Sequence, residues 1–191
     1  MKLSILVTTM PSRAFYLERV KRSLKDQITD DVELLILEGD SNQSIGSKRN
    51  ALLDMAKGDY VSFVDDDDTV VYHYVSSILK ATETSPDVVG IHLLYYEDYS
   101  FRGSAYHSLK FNEWFDEPKS EHPPLRNYYR TPNHINPVKR ELALRVKFPD
   151  INIGEDRDYS MRLKPLLTSE VYISDPIYSY LFRTIKGLEE D

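Results

Sequence analysis

The sequence predicts a single α/β domain, in which a mixed, mainly parallel central sheet is flanked by helices. In the first half of the chain, short apolar runs alternate with segments of helical periodicity, which is typical of βαβ units on a parallel sheet. The 191 residues suit one domain that is large enough to bury such a sheet. The share of hydrophobic residues, 41%, and of charged residues, 29%, is ordinary for a globular protein and argues against disorder.

The order of the predicted elements follows from these patterns. Strands are predicted at residues 3–8, 32–37, 60–64 and 88–94, and near 171–173 and 177–182. Helices are predicted between the first two strands and at residues 48–57, 72–81, 138–147 and 155–167. Gly58 is predicted to end the second helix as a C-cap. Residues 95–132 are rich in aromatic, polar and proline residues and predict loops with short edge strands.

Composition excludes several classes of function. Because there is no cysteine, disulfides, thiolate metal sites and cysteine nucleophiles are excluded, and a cytoplasmic location fits. No apolar stretch approaches the roughly 20 residues of a membrane span, and the N-terminal residues lack the apolar core of a signal peptide. The net charge of −7 disfavours nonspecific nucleic-acid binding as the main activity, although it leaves room for a local basic patch.

Four consecutive aspartates directly follow the third strand. An open α/β sheet binds its ligands at the carboxyl ends of its strands, so Asp65, Asp66, Asp67 and Asp68 are predicted to reach a ligand site. Carboxylates so close together repel one another unless a cation lies among them, and oxygen ligands suit Mg²⁺ or Mn²⁺ shared with substrate phosphates. The alternative is a solvated acidic turn that caps the next helix. An EF-hand is excluded, because no glycine follows at the required position.

Two further motifs begin predicted helices. Gly46 leads into a helix whose first turn carries Lys48 and Arg49, which suits a phosphate or a nucleobase carbonyl, or else is an ordinary helix start with solvent-facing cations. Gly154 precedes an acidic first turn that includes Asp156. One of those carboxylates could act as a general base toward a hydroxyl, or the acidic turn could simply complement the helix dipole.

Taken together and in this order, these segments resemble the family 2 glycosyltransferases of the GT-A fold. The resemblance runs through residues 3–9, 34–40, 48–51, 58–68 and 154–163, and leaves out about 95–129. It implies a nucleotide-sugar donor, usually a UDP-sugar, and transfer to an acceptor hydroxyl with inversion at the anomeric carbon. Residues 1–94 would then bind the nucleotide sugar and residues 95–191 the acceptor.

The resemblance also implies roles for the acidic residues. Asp65 and Asp67 correspond to the two acids of the DXD motif, and Asp67 would hold Mn²⁺ or Mg²⁺ against the diphosphate. Asp65 or Asp66 would reach the ribose or the sugar. Asp156 corresponds to the general base of the family, which takes a proton from the attacking hydroxyl. The metal would offset charge on the departing nucleoside diphosphate.

The donor pocket is implied to be lined by the loop after the first strand, with Lys48 and Arg49 nearby. The residues of this loop that match the family are Thr8, Thr9, Pro11 and Arg13. Glu38 stands where the family usually has an aspartate for the base or ribose, with Asp40 close by. Some members carry a late histidine as a metal ligand. The last histidine here is His134, expected to be packed and hydrogen-bonded, so Arg183 or water could serve near the diphosphate.

The acceptor remains open on sequence alone. Candidates are a saccharide, a lipid-linked glycan, a protein side chain or a hydroxylated DNA base. For DNA, a basic rim is conceivable, although an amphipathic helix with solvated charges is favoured; the rim would comprise Arg126, Arg130, Lys139, Arg140, Arg145 and Lys147. Aromatic residues of the least family-like segment could stack on sugars or pack the domain; these are Trp114, Phe115, Tyr128 and Tyr129.

Two rival functions share parts of this pattern. A nucleotidyltransferase has the same type of sheet and an acidic metal site, but it would normally carry a glycine-rich loop after the first strand. Residues 8–13 contain no glycine. The second rival is a catalytically silent module that binds nucleotide sugars, and it would differ from the enzyme in whether Asp156 is needed for turnover.

Overall fold

A computed structural model describes residues 1–40 and 42–184 of the chain. Its strands are β1 (Leu3–Thr9), β2 (Val32–Glu38), β3 (Tyr60–Phe63), β4 (Thr69–Val70), β5 (Val88–Glu97), β6 (Ser100–His107), β7 (Phe115–Glu121), β8 (Pro124–Arg130), β9 (Val138–Lys139) and β10 (Glu170–Phe182). Its α-helices are α1 (Ala14–Leu24), α2 (Ile45–Met55), α3 (Tyr74–Ala81), α4 (Arg140–Val146) and α5 (Glu155–Leu163). Within these described ranges, no helix has the length and apolar character that a bilayer crossing requires.

The strands form one mixed sheet, which confirms the predicted α/β class. The main path is β2-β1-β3-β9-β5-β6-β8-β7, while β10 pairs with β5 and β4. Strands β2, β1 and β3 are parallel, as are β5 and β10. The antiparallel pairs β5–β6 and β7–β8 extend the sheet on the other side, because these strands follow one another through short connections.

Alternation along β1 explains why helices cover both faces of the sheet. Leu3, Ile5 and Val7 belong to one buried cluster, which includes apolar residues of α1 and α3. Leu6 belongs to a second cluster, which includes residues of α2, α4 and α5. Since successive side chains of a strand point to opposite faces, a continuous apolar strand needs an apolar layer on each side. The apolar run 3–8 therefore indicated a central strand.

The predicted C-cap role of Gly58 is wrong. Helix α2 already ends at Met55, and Ala56 is the C-cap. Gly58 instead lies against β1, where its backbone N–H donates to Ser4 Oγ at 2.8 Å. A Cβ at this position would lie 2.5 Å from the backbone nitrogen of Ser4. The glycine is required by the close approach of two chain segments, which no local pattern reveals.

The second half of the chain contains more strand than the sequence predicted. Residues 95–132 form the rest of β5 and all of β6, β7 and β8, rather than loops with short edge strands. The helix predicted at 138–147 begins only at Arg140, after the short strand β9. The two strands predicted near 171–182 are one strand, with register shifts around Pro176. In each case pairing between strands decided the structure, and local propensity did not.

Gly46 joins the start of α2 to the segment before α5, so its substitution tests the fold. Its N–H donates to the carbonyl of Ile151, and a Cβ there would lie 1.8 Å from the carbonyl oxygen of Pro149. We expect Gly46→Ala to lower the free energy of unfolding by about 1–3 kcal/mol in urea titrations, because the backbone at Pro149 would have to shift to make room for the added Cβ. The control Met55→Ala, on the exposed side of the same helix, should change it by less than about 0.5 kcal/mol. Equal effects of both substitutions would contradict the packing described.

Candidate functional site

A cleft of about 690 Å³ lies at the carboxyl ends of β1 and β3. Its walls come from both halves of the chain: the end of β1, the start of α2, the acidic segment after β3, aromatic residues of β5, β8 and β10, and the segment that begins α5. Parallel strands end on the same edge of a sheet, so polar residues that follow β1 and β3 meet there. A cavity of this size suits a substrate larger than one monosaccharide.

The four aspartates after β3 enter different environments. Asp66 is buried and accepts hydrogen bonds from Thr9 Oγ1 at 2.7 Å and from the guanidinium of Arg13 at 2.7 Å. Its carboxylate thereby fixes Arg13 at the cleft wall. A donor contact through Asp66 stays a prediction, and it would have to share a carboxylate that two protein groups already use.

Asp68 holds β10 and does not cap the next helix, so the alternative in which the acidic turn is a helix cap is wrong for this residue. It is buried and accepts from the Tyr178 hydroxyl at 2.6 Å and from the Leu181 N–H at 2.8 Å. The N-cap of α3 is His73. Burial, together with the charges of Asp65 and Asp67, raises the pKa of Asp68 well above its ordinary value. Helix α3 starts several residues later than a cap at Asp68 requires.

Asp65 and Asp67 are the two acids of the run that remain partly open to the cleft, with 25% and 32% of their side-chain surface exposed. Asp65 accepts from Arg49 at 3.0 Å and lies 3.2 Å from His134 Nε2. Burial alone would raise the pKa of Asp65, but His134 and Arg49 hold it well below its usual range. In Asp67, burial and the neighbouring charges of Asp65 and Asp66 raise the pKa despite the ion pair with Arg13.

Arg49 connects the acidic segment to the start of α5. Its side chain is 5% exposed, and it donates to Glu155 at 2.7 Å and to Asp65 at 3.0 Å. The guanidinium also lies 5.8 Å from the ring centre of Phe63 and 5.5 Å from that of Phe148. Arg49 lines the cleft as predicted, but its guanidinium is already bound to two protein carboxylates. Its donor contact stays a prediction.

Lys48 has a different environment from its neighbour. Its stem crosses Gly39, where a Cβ would lie 2.3 Å from Lys48 Cδ. The side chain lines the cleft, and within the described residues its ammonium group has neither a hydrogen bond nor an ion pair. Ser44 caps the helix by accepting from the Ser47 N–H at 3.0 Å. An unpaired cation at this position can bind an anion or a carbonyl oxygen of a ligand.

The predicted base Asp156 lies in the first turn of α5 and lines the cleft. Gly154 adopts φ of +81° immediately before the helix, a conformation that favours glycine. The two neighbouring acids have different contacts. Glu155 turns inward to Arg49, whereas within the described residues Asp156 accepts a hydrogen bond only from the N–H of Arg157, at 2.7 Å. Asp156 is thus the acid of this turn that is available to a substrate.

Two histidines lie on the floor of the cleft. His134 is packed and hydrogen-bonded, as expected, and its contact is Asp65. His107 is buried and shares a hydrogen bond with Asn136 Oδ1 at 3.2 Å. Burial lowers the pKa of His107 to about 3, so this side chain is neutral near pH 7. Its burial and its hydrogen bond to Asn136 account for His107, so neither a metal-ligand role nor a general-base role is needed to explain it.

The other predicted donor residues divide into two groups. Thr8, Thr9 and Arg13 line the cleft. Pro11, Glu38 and Asp40 lie just outside its lining, at the ends of β1 and β2, and their donor contacts stay predictions. To contact these three residues, the nucleobase of a donor would have to extend beyond the cleft wall.

Two arginines lie at Asp67: Arg183, which the sequence analysis named, and Arg19, which it did not. Arg19 of α1 donates to the backbone carbonyl of Asp67. Arg183 Nη1 lies 3.9 Å from Asp67 Oδ2, and its guanidinium lies 4.2 Å from the ring centre of Tyr16. Nε and Nη2 of Arg183 are buried without a hydrogen-bond partner among the described residues. The sequence analysis missed Arg19, because a single arginine on an amphipathic helix does not reveal which part of the protein its side chain will contact.

The residues present fit a divalent cation that is shared with a ligand, and not a metal held by protein alone. No group of three or more histidine or acidic side chains among residues 1–40 and 42–184 could hold an ion. Asp67, with Asp65 beside it, offers carboxylate oxygens at the cleft, and phosphate oxygens and water would complete the coordination that Mg²⁺ prefers. The unpartnered nitrogens of Arg183 suit an anionic ligand in the same place.

The basic rim considered for a DNA acceptor, which the sequence did not favour, does not form. Lys139 pairs with Asp87, Lys147 pairs with Asp54, and Arg126 pairs with Asp116. Arg140 donates to the carbonyl of Gly58. Most of these cations are therefore committed to partners within the protein, and of the six only Arg130 lines the cleft.

The aromatic residues split by strand alternation. Tyr128 and Trp114 line the cleft, whereas Tyr129 faces the other side of β8 and stacks on Phe115 at 4.7 Å between ring centres. Of the four aromatic residues that the sequence analysis named, two therefore line the cleft and two pack outside it. The period of two along a strand explains the division, once β8 is recognised as a strand.

Comparison with known proteins agrees with this geometry. The sequence model of the family described as Glycosyl transferase family 2 matches residues 18–148, more than half of the chain. A curated relative, the putative glycosyltransferase EpsH of Bacillus subtilis (strain 168), is 22% identical over 86% of this chain and 56% of its own length.

Solved structures of S. aureus TarS 1-349 share the fold. The complex with UDP-GlcNAc superposes with a TM-score of 0.73 at 17% identity and covers 100% of this chain and 61% of that one. The complex with UDP gives 0.69 at 18% identity, over 95% and 60%. The chain thus spans about three fifths of the length of these proteins.

The buried position of Arg49 gives a test of the site's architecture. We expect Arg49→Met to lower the free energy of unfolding by about 3–5 kcal/mol, because Asp65 and Glu155 would lose a shared counterion. The control Lys147→Met removes an exposed pair with Asp54 and should cost less than about 1 kcal/mol. Chemical denaturation of both variants measures the difference. A cost for Arg49→Met no larger than the control's would contradict the bridging role.

Proposed function

Because the chain belongs to glycosyl transferase family 2, we propose that it transfers a sugar from a nucleotide-sugar donor, a UDP-sugar, to an acceptor hydroxyl with inversion. The observation that carries this proposal is the single cleft in which Asp67 and Asp156 both reach the ligand space from opposite halves of the chain. A group-transfer enzyme needs such a cleft, with one part for the leaving group and another for the nucleophile.

The donor diphosphate is proposed to lie near Asp67, among cations. Arg13 is fixed there by Asp66, Arg183 has unpartnered nitrogens, and Lys48 has an unpaired ammonium group. Positive groups at this place stabilise the charge that builds on the departing nucleoside diphosphate. The UDP-sugar class is supported by the fold shared with a protein whose structures are complexes with UDP-GlcNAc and UDP.

Asp67, assisted by Asp65, is the proposed holder of Mn²⁺ or Mg²⁺. A bound divalent cation supplies further positive charge beside the leaving diphosphate. Arg49 and His134 keep Asp65 ionised and in place, while Asp66 keeps Arg13 at the wall. The protein's own contribution is to present carboxylates and arginines in fixed positions before the donor arrives.

Asp156 is the proposed general base. The acceptor oxygen attacks the anomeric carbon and forms the new C–O bond, while the bond from that carbon to the diphosphate oxygen breaks with its electron pair on the diphosphate. The hydroxyl proton passes to the carboxylate of Asp156, which is exposed to the cleft and, among the described residues, forms no ion pair. Attack on the face opposite the leaving group inverts the anomeric carbon. The acceptor's identity and a cytoplasmic location stay predictions.

The donor and metal assignments can be tested by thermal denaturation with a panel of nucleotide sugars, each with and without Mn²⁺. We expect one UDP-sugar to raise the melting temperature only when metal is present, since a ligand that binds the folded state stabilises it. Asp67→Asn should lose this metal-dependent shift. The control Asp54→Asn, at an exposed carboxylate, should keep it. If no nucleotide sugar gives a metal-dependent shift, the proposed function is wrong.

The base assignment is tested by Asp156→Asn, compared with Asp158→Asn on the exposed side of the same helix turn. We expect Asp156→Asn to lower kcat by about 10²- to 10⁴-fold with donor and metal binding unchanged, because proton transfer alone is lost. Release of UDP with a panel of saccharide acceptors measures turnover. Equal turnover of the two variants would contradict the role of Asp156, and donor binding without any turnover by the wild type would favour the silent module.

A further inference from the structure

The acceptor half of the cleft contains a compact group that the proposed mechanism does not use: Trp114, Tyr128 and Arg130, called here the aromatic–arginine subsite. Tyr128 and Arg130 lie two residues apart on β8, so their side chains share a face. Trp114, just before β7, lines the same cleft. Asp156 and the subsite therefore face one ligand space.

Trp114 is held in place by the helix that carries the proposed base. Its indole Nε1 donates to Thr131 Oγ1 at 2.8 Å, and that hydroxyl is hydrogen-bonded to Ser160 Oγ. Ser160 is buried on α5, the helix that begins with Glu155 and Asp156. A ring fixed relative to the base can set the distance between a bound acceptor and the carboxylate.

Arg130 is oriented by backbone and aromatic contacts and by no carboxylate. Its guanidinium carbon lies 5.2 Å from the ring centre of Trp114 and 5.4 Å from that of Tyr128. One nitrogen, Nη1, donates to the carbonyls of Phe115 and Tyr129 at 2.7 and 2.9 Å. These contacts fix the plane of the guanidinium while leaving its charge unbalanced.

The remaining donors of Arg130 face the cleft without partners. In the part of the chain that the structure describes, Nε and Nη2 form no hydrogen bond and no ion pair, and neither is among the fully buried polar atoms. Asp116, the nearest acid on β7, pairs with Arg126. Burial lowers the pKa of Arg130, and the nearby charges of Asp116 and Asp156 offset this effect only in part.

We propose that the aromatic–arginine subsite binds an acceptor saccharide that carries an anionic substituent, a carboxylate or a phosphate. Trp114 and Tyr128 offer ring faces to the sugar, and Arg130 offers two parallel donors, which match the paired oxygens of these anions. The inference rests on the proposed function, because the sugar must be the acceptor whose hydroxyl meets Asp156.

An anionic ligand fits this part of the cleft better than a neutral one. A neutral saccharide would leave the guanidinium desolvated and uncompensated, which costs more than a missing neutral hydrogen bond. The charges of the acidic segment are compensated by cations, because Asp66 and Asp67 pair with Arg13, and Asp65 pairs with Arg49. The alternative partner of Arg130 is Asp156 itself, which would make Arg130 a positioning residue for the base.

The test uses ligand-observed NMR titrations of the full chain with three probes that differ at one carbon: methyl β-D-glucoside, its uronic acid and its 6-phosphate. We expect the wild type to bind the two anionic probes roughly 10- to 100-fold more tightly than the neutral one, the range for a charge-assisted bidentate contact. The uronic acid and the phosphate distinguish the two sources of negative charge. Donor binding is recorded in the same samples by thermal shift.

Four variants separate the possible explanations. Arg130→Gln should abolish the anionic preference, and Arg130→Lys should restore part of it. Trp114→Phe should weaken all three probes alike. Arg157→Gln removes a nearby exposed cation of the same helix turn as Asp156 and should leave most of the anionic preference in place. Donor binding should persist in all four, which also shows that each variant is folded.

Three results would overturn the subsite. One is equal or undetectable binding of neutral and anionic probes by the wild type, and another is a preference that survives Arg130→Gln. The third is an Arg130→Gln variant that keeps the probe affinities but shifts the pH profile of turnover. That result would show that Arg130 positions Asp156 and does not bind the acceptor. Loss of donor binding by the wild type would instead count against the proposed function as a whole.

Discussion

The site depends on one buried cation, Arg49. Asp65 and Glu155 belong to segments that are 90 residues apart along the chain, and the guanidinium binds both while the rings of Phe63 and Phe148 enclose it. Removing two carboxylates from water is costly unless a well-placed partner neutralises them. Because Glu155 is drawn inward, Asp156 is left facing the cleft. The acidic segment and the start of α5 are thereby held in a fixed relation.

The run of four aspartates is tolerated because its members are separated. Asp68 holds β10 through Tyr178, Asp66 holds Arg13, and Asp65 is bound by Arg49 and His134. Asp67 keeps a raised pKa and a partly open carboxylate. Like charges at this density would destabilise a strand end if all of them met the same solvent. Each acid therefore contributes to the wall, and Asp67 is the one that combines a raised pKa with a carboxylate open to the ligand space.

The acceptor side is built differently, from sheet and aromatic rings. Strands β6, β8 and β7 extend the central sheet, and alternation along β8 sends Tyr128 and Arg130 into the cleft while Tyr129 packs outside. Tyr95 stacks on Tyr180 at 5.7 Å, which continues the aromatic lining across β5 and β10. A rigid sheet with varied side chains can change its ligand without changing its fold. The donor side, by contrast, is fixed by ion pairs between loops.

The sequence by itself determined the α/β class, the central strands β1 and β3, and the placing of acidic residues at a strand end, because apolar period and strand-end chemistry are local properties. Only the tertiary structure decided that Gly58 packs on β1, that residues 95–132 are largely strand, and that Asp68 serves β10. It also decided that Glu155 pairs with Arg49 while Asp156 stays free of ion pairs. Those outcomes depend on partners distant in the chain, and no local pattern carries that information.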